Sequence, residues 1–167
     1  NSDPAGAITF SIAFTDSAGN AGTTVTDVTD STSVTIDNTH PTLSPVSIAT
    51  AGTGNANNGD QITLSFTSSE TIQNSPTCTF ADSAGGAMDN SGSIAVADGG
   101  SNAWTCKIST HDNDASGTVT FSIAFSDDAG NAGTAATAVT DGTSVTIDNA
   151  HPTLSPVSIA TAGTGNA

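Results

Sequence analysis

The sequence contains almost no positive charge and few aromatic side chains. Its 167 residues include no Arg, no Tyr and a single Lys, Lys107, against 16 acidic residues, which gives a net charge of −15. Nucleic acids and anionic membrane surfaces are bound through Lys and Arg, so the composition excludes both as partners. No apolar run approaches the ~20 residues that span a bilayer as a helix, which argues against membrane insertion. So acidic a chain instead calls for bound cations or high ionic strength.

Cysteine is also scarce, with only Cys78 and Cys106 present. Both lie in alternating apolar stretches, and Trp104 shares the face of Cys106, so these side chains are expected in the core. A disulfide is the favoured interpretation. Two buried free thiols are the alternative, and the spacing of Cys and His does not suit zinc. A disulfide in this acidic, Lys-poor chain indicates an extracellular or cell-surface location.

The chain repeats itself with a period of 111 residues. Residues 6–56 and 117–167 differ at nine positions, with Phe10 matching Phe121. A period of this length is a whole domain, because solenoid units reach only roughly 50 residues. We therefore expect a window from a longer tandem array. Its predicted parts are the C-terminal part of one repeat (1–39), a complete repeat (40–150) and the first strand of the next repeat (151–167).

The complete repeat is predicted to contain seven short strands. Apolar and polar residues alternate in each, as in residues 118–125, which places one apolar face toward a core. Pro45 interrupts the alternation of the first strand, which indicates an edge strand or a bulge. The following segment AGTGNANNGD, residues 51–60, is expected to be a polar turn. Seven alternating strands without a helix predict an all-β, immunoglobulin-like Greek-key β-sandwich.

Acidic residues gather at predicted strand ends. Because successive strands of a sandwich alternate in direction, Glu70 and the turn 127–131 should lie at the end that faces the preceding repeat. The linker of that repeat brings further Asp and Asn, and such oxygens are ligands for Ca²⁺. The candidate Ca²⁺ ligands at this junction and at its copy are Asp3, Asp37, Asn38, Glu70, Asp127, Asp128, Asn131, Asp112, Asp114, Asp148 and Asn149. In the alternative interpretation, each Asp only caps its own turn.

The three His residues are far apart in the sequence. His40 and His151 occupy the same linker position in successive repeats, and His111 opens an acidic turn. All three are expected at the surface. No Ser, His and Asp assemble into a triad, and acid at domain ends does not form a carboxylate pair in a cleft. We therefore expect no enzymatic activity.

Two motifs carry a family resemblance. The turn FSDDAGNAG (125–133) and the linker TSVTIDNAHPTLSPVSI (143–159) resemble the tandem immunoglobulin-like repeats of very large secreted or cell-surface proteins, including bacterial giant adhesins. The linker is also similar in placement to the calcium-binding D-N-x-P linkers of cadherins. That similarity implies Ca²⁺ ligands at both linkers, namely Asp37, Asn38, Asp148 and Asn149.

These features predict a structural extracellular protein that forms a rod, stalk or filament as an adhesin scaffold or surface appendage. The expected partners are other copies or further repeats of the same chain, and the many Ser and Thr residues predict O-linked glycans. The alternative is an adhesive module that binds glycans or ice. Its surface would be a hydroxyl row formed by Thr118, Thr120, Ser122 and Ser126, which is otherwise the solvated side of a sheet.

The N-terminal half repeat, residues 1–38, contains only two predicted strands. Two strands alone are marginally stable in water. We therefore expect this part to be completed by missing chain or by a neighbouring copy, so that the termini pack against other molecules.

Overall fold

The computed structural model describes residues 3–160, apart from the side chain of Ser91. Within this range the chain is all-β, as predicted, with one short 3₁₀ turn at Ser91–Ser93 and no helix long and apolar enough to cross a membrane. The strands are Gly6–Ala7 (β1), Thr35–Ile36 (β2), Leu43–Thr50 (β3), Asn55–Ala56 (β4), Gln61–Ser68 (β5), Thr77–Ala81 (β6), Ala95–Gly100 (β7), Ala103–Ser109 (β8), Gly117–Thr118 (β9), Thr120–Ala124 (β10) and Thr146–Ile147 (β11).

The complete repeat arranges its strands in several sheets around one core, consistent with a β-sandwich. A four-stranded antiparallel sheet has the order β3-β5-β8-β7, while β10 pairs with β6 and β11 lies between β4 and β9. Alternation along β5 buries Ile62, Leu64 and Phe66 to 3 % exposure or less. Side chains from both sets of strands meet in this core, among them Phe80 of β6 and Ile123 of β10. Burial of this apolar surface is the main term that stabilises the fold.

A disulfide joins β6 to β8. Cys78 and Cys106 are buried, and their Cα atoms lie 6.4 Å apart. Trp104, two residues before Cys106, is partly buried against the same core. The predicted disulfide is therefore confirmed, and it links the four-stranded sheet to the strands that pack on it.

The first strand of the complete repeat confirms one prediction, and the segment that follows it contradicts another. β3 is an edge strand, and its register with β5 shifts between Leu43 and Val46, around Pro45, as expected. The segment 51–60, however, is more than a polar turn. It contains β4, which pairs in parallel with β11, and Ala56 is 1 % exposed. The prediction was wrong because one small apolar residue in a polar segment produces no alternating pattern.

The strand predicted around Phe121 is divided between two sheets. β9 pairs with β11, whereas β10 pairs with β6, and Val119 lies between them. Thr118 therefore belongs to a different sheet from Thr120 and Ser122. The hydroxyl row does not lie on a single sheet, which argues against the flat array that ice binding would need.

The half repeat reproduces the pairing of residues 117–147. Gly6 pairs with Ile36 as Gly117 pairs with Ile147. The isolated bridges of the half repeat, including Ile12 with Val25, match those of the complete repeat, including Ile123 with Ala136. Residues 150–160 belong to no strand in this structure and are exposed, and the end of the strand predicted over 151–167 lies outside the described residues.

Gly133→Ala should destabilise the complete repeat by about 1–3 kcal/mol, as overpacking does. A Cβ atom there would overlap the Phe125 ring and lie 2.7 Å from the carbonyl oxygen of Pro41, so ring and backbone would both have to move. Gly22→Ala is the matched control, because the three nearest atoms all belong to the Phe14 ring, which is 54 % exposed and can turn away. Urea denaturation compares the two variants, and equal effects would contradict the prediction.

Candidate metal centre

Three carboxylates converge at one end of the complete repeat. Asp37 directly follows β2, Glu70 lies two residues after β5, and Asp127 lies in the turn after β10. Each offers one oxygen atom, and these atoms all lie within 4.8 Å of one another. An isolated bridge between Ile72 and Asp127 holds the chain after β5 beside the turn after β10. The linker before the repeat and two of the repeat's own strand ends thus meet at one point.

The cluster extends from solvent into the protein. Asp37 is exposed, Glu70 is partly buried and Asp127 is 2 % exposed. The Oε1 atom of Glu70 is shielded from solvent and has no hydrogen-bond partner among the described residues. A buried polar atom without a partner is energetically costly. A cation bound between the carboxylates would satisfy this atom.

Asn131 fastens the linker to the acidic turn. Its backbone N–H donates to Asp127 Oδ1 (2.7 Å), and its Nδ2 donates to Asp127 Oδ2 (2.8 Å). The same Nδ2 also donates to the backbone carbonyl of Asp37 (3.0 Å). A second contact places His40 Nδ1 2.8 Å from the carbonyl oxygen of Ala132. The linker is therefore held against the repeat by hydrogen bonds independent of any cation.

The acidic turn also forms outside the group of three carboxylates. Asp16 Oδ1 accepts hydrogen bonds from the N–H groups of Ala18 and Asn20, and Asn20 Nδ2 donates to Asp16 Oδ2. A third turn of this kind lies at residues 82–86 and shares the letters D-x-A-G, although it was not predicted from the sequence. Turn capping is thus a general property of this motif, and Asp127 differs because Asp37 and Glu70 lie beside it.

The environment shifts the pKa values of two clustered carboxyls in opposite directions. Desolvation raises the pKa of Glu70, the negative charges of Asp37 and Asp127 raise it further, and His40 opposes the shift. Desolvation also raises the pKa of Asp127, but hydrogen bonds, chiefly from the side chain and backbone of Asn131, outweigh it, so the pKa lies below its ordinary value. Of these two carboxyls, Glu70 is therefore the one whose negative charge is less favourable in the folded state.

Within residues 3–160, the cluster forms no ion pair with a basic side chain. The one ion pair in that range joins His111 Nδ1 to Asp89 Oδ2 at 3.4 Å, away from the cluster. Lys107 lies within β8, paired with Thr63 of β5. Apart from the opposing effect of His40, the negative charge of the cluster is left for a mobile or bound cation to balance.

Several predicted ligands lie outside the cluster. Asp128, next to Asp127, is exposed, and so is Asp112 in the turn at the other end of the repeat. Asn38 uses its Nδ2 to donate to the backbone carbonyl of Asp3 (2.7 Å). These side chains cap or flank turns and add no carboxylate to the cluster.

At the other end of the complete repeat, backbone N–H donors occupy the acidic side chains. Asp114 is buried, and its carboxylate accepts from the N–H groups of Asp89 (2.9 Å) and His111 (2.7 Å). Asn149 Nδ2 donates to the carbonyls of His111 and Asp114, both at 3.1 Å. Asp148 Oδ1 accepts from the N–H of Ala150. In the described part of the chain, only Asp37, Glu70 and Asp127 form a group of three potential metal ligands.

No family model matches the chain, and no curated protein is significantly similar to it.

Proposed function

We propose that this protein is a structural extracellular repeat protein, which forms a rod, stalk or filament and is stiffened by Ca²⁺ at its repeat junctions. The cluster of Asp37, Glu70 and Asp127 carries the proposal, because it joins the linker of one repeat to two strand ends of the next. Such a site restricts bending at the junction, where a tandem array would otherwise flex.

The dimensions of the cluster suit Ca²⁺. Calcium takes 6–8 oxygen ligands at 2.3–2.6 Å, so two oxygens on one ion lie at most about 5 Å apart. The oxygens of the cluster, within 4.8 Å of one another, satisfy this limit. Three carboxylates supply the charge, and carbonyl oxygens or water would complete the coordination. The ion would hold Asp37 of the linker to Glu70 and Asp127 of the repeat.

The strand order supports an immunoglobulin-like topology. We number the seven predicted strands of the complete repeat by omitting β4 and counting β9 and β10 together as the sixth. The four-stranded sheet then contains the first (β3), second (β5), fifth (β8) and fourth (β7) strands, while the third (β6) pairs with β10 of the sixth and β9 of the sixth pairs with the seventh (β11). The constant-type immunoglobulin fold has this division, with strands ABED in one sheet and CFG in the other. The disulfide differs, since Cys78 and Cys106 join the third strand to the fifth.

The sequence repeat and the disulfide support the extended, extracellular part of the proposal. Residues 6–36 share their pairing with residues 117–147, as expected for a domain that recurs every 111 residues. A structural disulfide suits an oxidising compartment. Near-identical copies serve length and repetition, which is what a scaffold, stalk or fibril requires.

Small-angle X-ray scattering of two tandem complete repeats tests this function. Residues 40–150 joined to a second copy recreate the linker, with Asp148 of the first copy in the place of Asp37. Millimolar Ca²⁺ should narrow the distribution of interatomic distances and lengthen the particle relative to excess chelator. Asp148→Ala in the first copy should abolish this response, whereas the same change in the second copy, which precedes no repeat, should preserve it. An identical profile with and without Ca²⁺ would contradict the stiffened rod.

A further inference from the structure

A cleft of about 370 Å³ lies at the end of the complete repeat where β5 finishes. One wall is the hairpin between β7 and β8, and the other is the segment that follows β5, residues 71–75. All of the residues that line the cleft fall between positions 71 and 104, within the complete repeat. Small-molecule sites usually occupy roughly 300–1,000 Å³, so the cleft has room for a small ligand.

Trp104 is the largest apolar side chain of the cleft. It packs against the core but is only partly buried, and it is the one Trp of the sequence. In the four-stranded sheet it lies between Phe66 of β5 and Asp98 of β7, with which it is in register. Residues directly opposite each other in an antiparallel pair share one face of the sheet. The cleft therefore combines a large aromatic ring with a neighbouring carboxylate.

Residues with left-handed backbone are concentrated at the cleft. Among the described residues, four that are not glycine have a positive φ, and three of them line it, namely Asn74 (58°), Ser101 (52°) and Asn102 (63°). Ser101 and Asn102 are the central residues of the β7–β8 hairpin, where glycine commonly supplies this conformation. Polar side chains are thus retained here at a conformational cost, and such residues cluster at ligand sites.

Both walls of the cleft are fastened to the rest of the repeat. The N–H of Ser68, the last residue of β5, donates to the carbonyl oxygen of Asn102 (2.9 Å). On the other wall, the N–H of Gln73 donates to the carbonyl oxygen of Ser126 (2.8 Å). Because these bonds fix the walls before a ligand arrives, little conformational entropy is lost on binding.

We propose that this cleft binds a neutral saccharide of one or two rings, with the apolar face of one sugar ring against Trp104. An aromatic ring offers a flat apolar surface, which suits the C–H groups on that face of a sugar. Sugar hydroxyls both donate and accept hydrogen bonds. They match the hydroxyl and amide groups of the lining residues Thr71, Asn74 and Asn102, which also do both.

Asp98 supplies the charged acceptor of the proposed site. Its Oδ1 accepts from the N–H of Gly100 (2.7 Å), which holds the side chain at the hairpin. Its Oδ2 takes no part in this bond, so it can accept from a sugar hydroxyl. A hydrogen bond to a carboxylate is roughly twice as strong as one between neutral groups.

The charge and composition of the cleft favour a neutral ligand. Asp98 and the net charge of −15 repel anionic ligands such as sialic acid. Quaternary ammonium ions are typically held in cages of several aromatic rings. This cleft instead contains one ring and five neutral side chains that form hydrogen bonds. Such a set has partners for sugar hydroxyls and none that an ammonium group without N–H donors would use.

The inference goes beyond the proposed rod, because the cleft lies within one repeat. Its consequence for adhesion rests on the proposed function. In a tandem array the cleft would recur every 111 residues, and many weak sites on one chain would hold a glycan-covered surface much more tightly than one site does.

Intrinsic fluorescence of the full chain measures binding at this cleft. The sequence has no Tyr, so Trp104 dominates the emission. The neutral probes are the methyl α-glycosides of glucose, mannose and galactose, together with N-acetylglucosamine and maltose. At least one should change the emission saturably and protect Trp104 from quenching by acrylamide. N-acetylneuraminic acid and choline are the anionic and cationic comparisons, and neither should change the emission.

Two cleft variants and one control identify the groups that hold the saccharide. Asp98→Asn keeps an acceptor for Gly100 but removes the charge, so the affinity should fall about tenfold. Asn102→Gly removes the amide at a positive φ that glycine accepts, so binding should weaken while the melting temperature stays close to that of the wild type. Ser31→Gly is the matched control, because Ser31 has the same φ of 63° and does not line the cleft, so the affinity should be unchanged.

A saturable response that both cleft variants weaken and the control preserves would support the proposal. No response to any of the five neutral probes would overturn it. So would tighter binding of choline or N-acetylneuraminic acid, or equal affinity in the wild type and both cleft variants. Absence of saccharide binding together with a preserved Ca²⁺ response of the tandem repeats would reject the cleft and leave the proposed rod intact.

Discussion

Replacement of Cys78 and Cys106 by Ala is expected to lower the free energy of unfolding of the complete repeat by about 3–4 kcal/mol. The disulfide joins residues separated by 28 positions in the sequence, and a cross-link over such a loop reduces the conformational entropy of the unfolded chain. The cost is a large part of the 5–15 kcal/mol that typically stabilises a domain. Urea denaturation of the double variant and the wild type measures it.

Reducing agent provides the internal control for this result. It should bring the wild-type transition close to that of the double variant and leave the double variant unchanged. Because both Cys side chains are buried, a small additional loss from packing is expected in the variant alone. An unaltered transition midpoint in the double variant would show that the sheets are held together without the cross-link.

Calcium is expected to stabilise the complete repeat and its linker by about 2.7 kcal/mol when the free ion is at 100 times its Kd. The reason is that Asp37, Glu70 and Asp127 come together only in the folded chain. Thermal melting of the full chain, in millimolar Ca²⁺ and then in excess chelator, measures the gain. Asp37→Ala should remove most of it, because the linker then contributes no carboxylate.

Glu70→Gln should raise the stability measured in chelator and reduce the stabilisation that Ca²⁺ provides. The pKa of Glu70 is raised in the fold by desolvation and by the neighbouring Asp37 and Asp127. A raised carboxyl pKa favours folding at pH values below the unfolded pKa, and this contribution is lost as the pH rises through the folded pKa. At neutral pH in chelator, the neutral Gln should therefore raise the melting temperature. In Ca²⁺ the variant should show a smaller gain in melting temperature, because one of the three negative charges that attract the ion is lost.

Asp128→Asn is the matched control for the cluster. It removes one negative charge beside Asp127 from an exposed position outside the group of three. The Ca²⁺ gain should persist in this variant. Equal loss of the gain in Asp128→Asn and Glu70→Gln would indicate general screening of an acidic surface, and a lower melting temperature of Glu70→Gln in chelator would refute the repulsion inferred at Glu70.

Local patterns were enough to predict much of the fold and part of the candidate site. Strict alternation around Phe66 and Phe121 identifies strands, because side chains on a strand point to opposite faces. The same alternation placed Cys78 and Cys106 on core faces, where they form the predicted disulfide. Alternating strand directions placed Glu70 and Asp127 at one end, where the structure has them together.

The remaining features depend on contacts that no local pattern reveals. Ala56 becomes a core residue because β4 pairs with β11, about 90 residues later in the sequence. Val119 separates two sheets through the pairing of its neighbours with strands elsewhere. Asp114 had the same appearance in the sequence as Asp127, yet the N–H groups of two turns occupy its carboxylate. Such hydrogen bonds depend on the packed structure, so the sequence pattern does not predict which donors reach each carboxylate.

The position of the disulfide also sets how far a repeat could lengthen under tension. In an unfolded but oxidised repeat, the chain between Cys78 and Cys106 bears no load, because force passes directly across the bridge. A separation of 28 residues removes roughly 100 Å of extensible length from each repeat. A fibre built from such units would yield in short steps, and a reducing environment would convert it into a longer and softer tether.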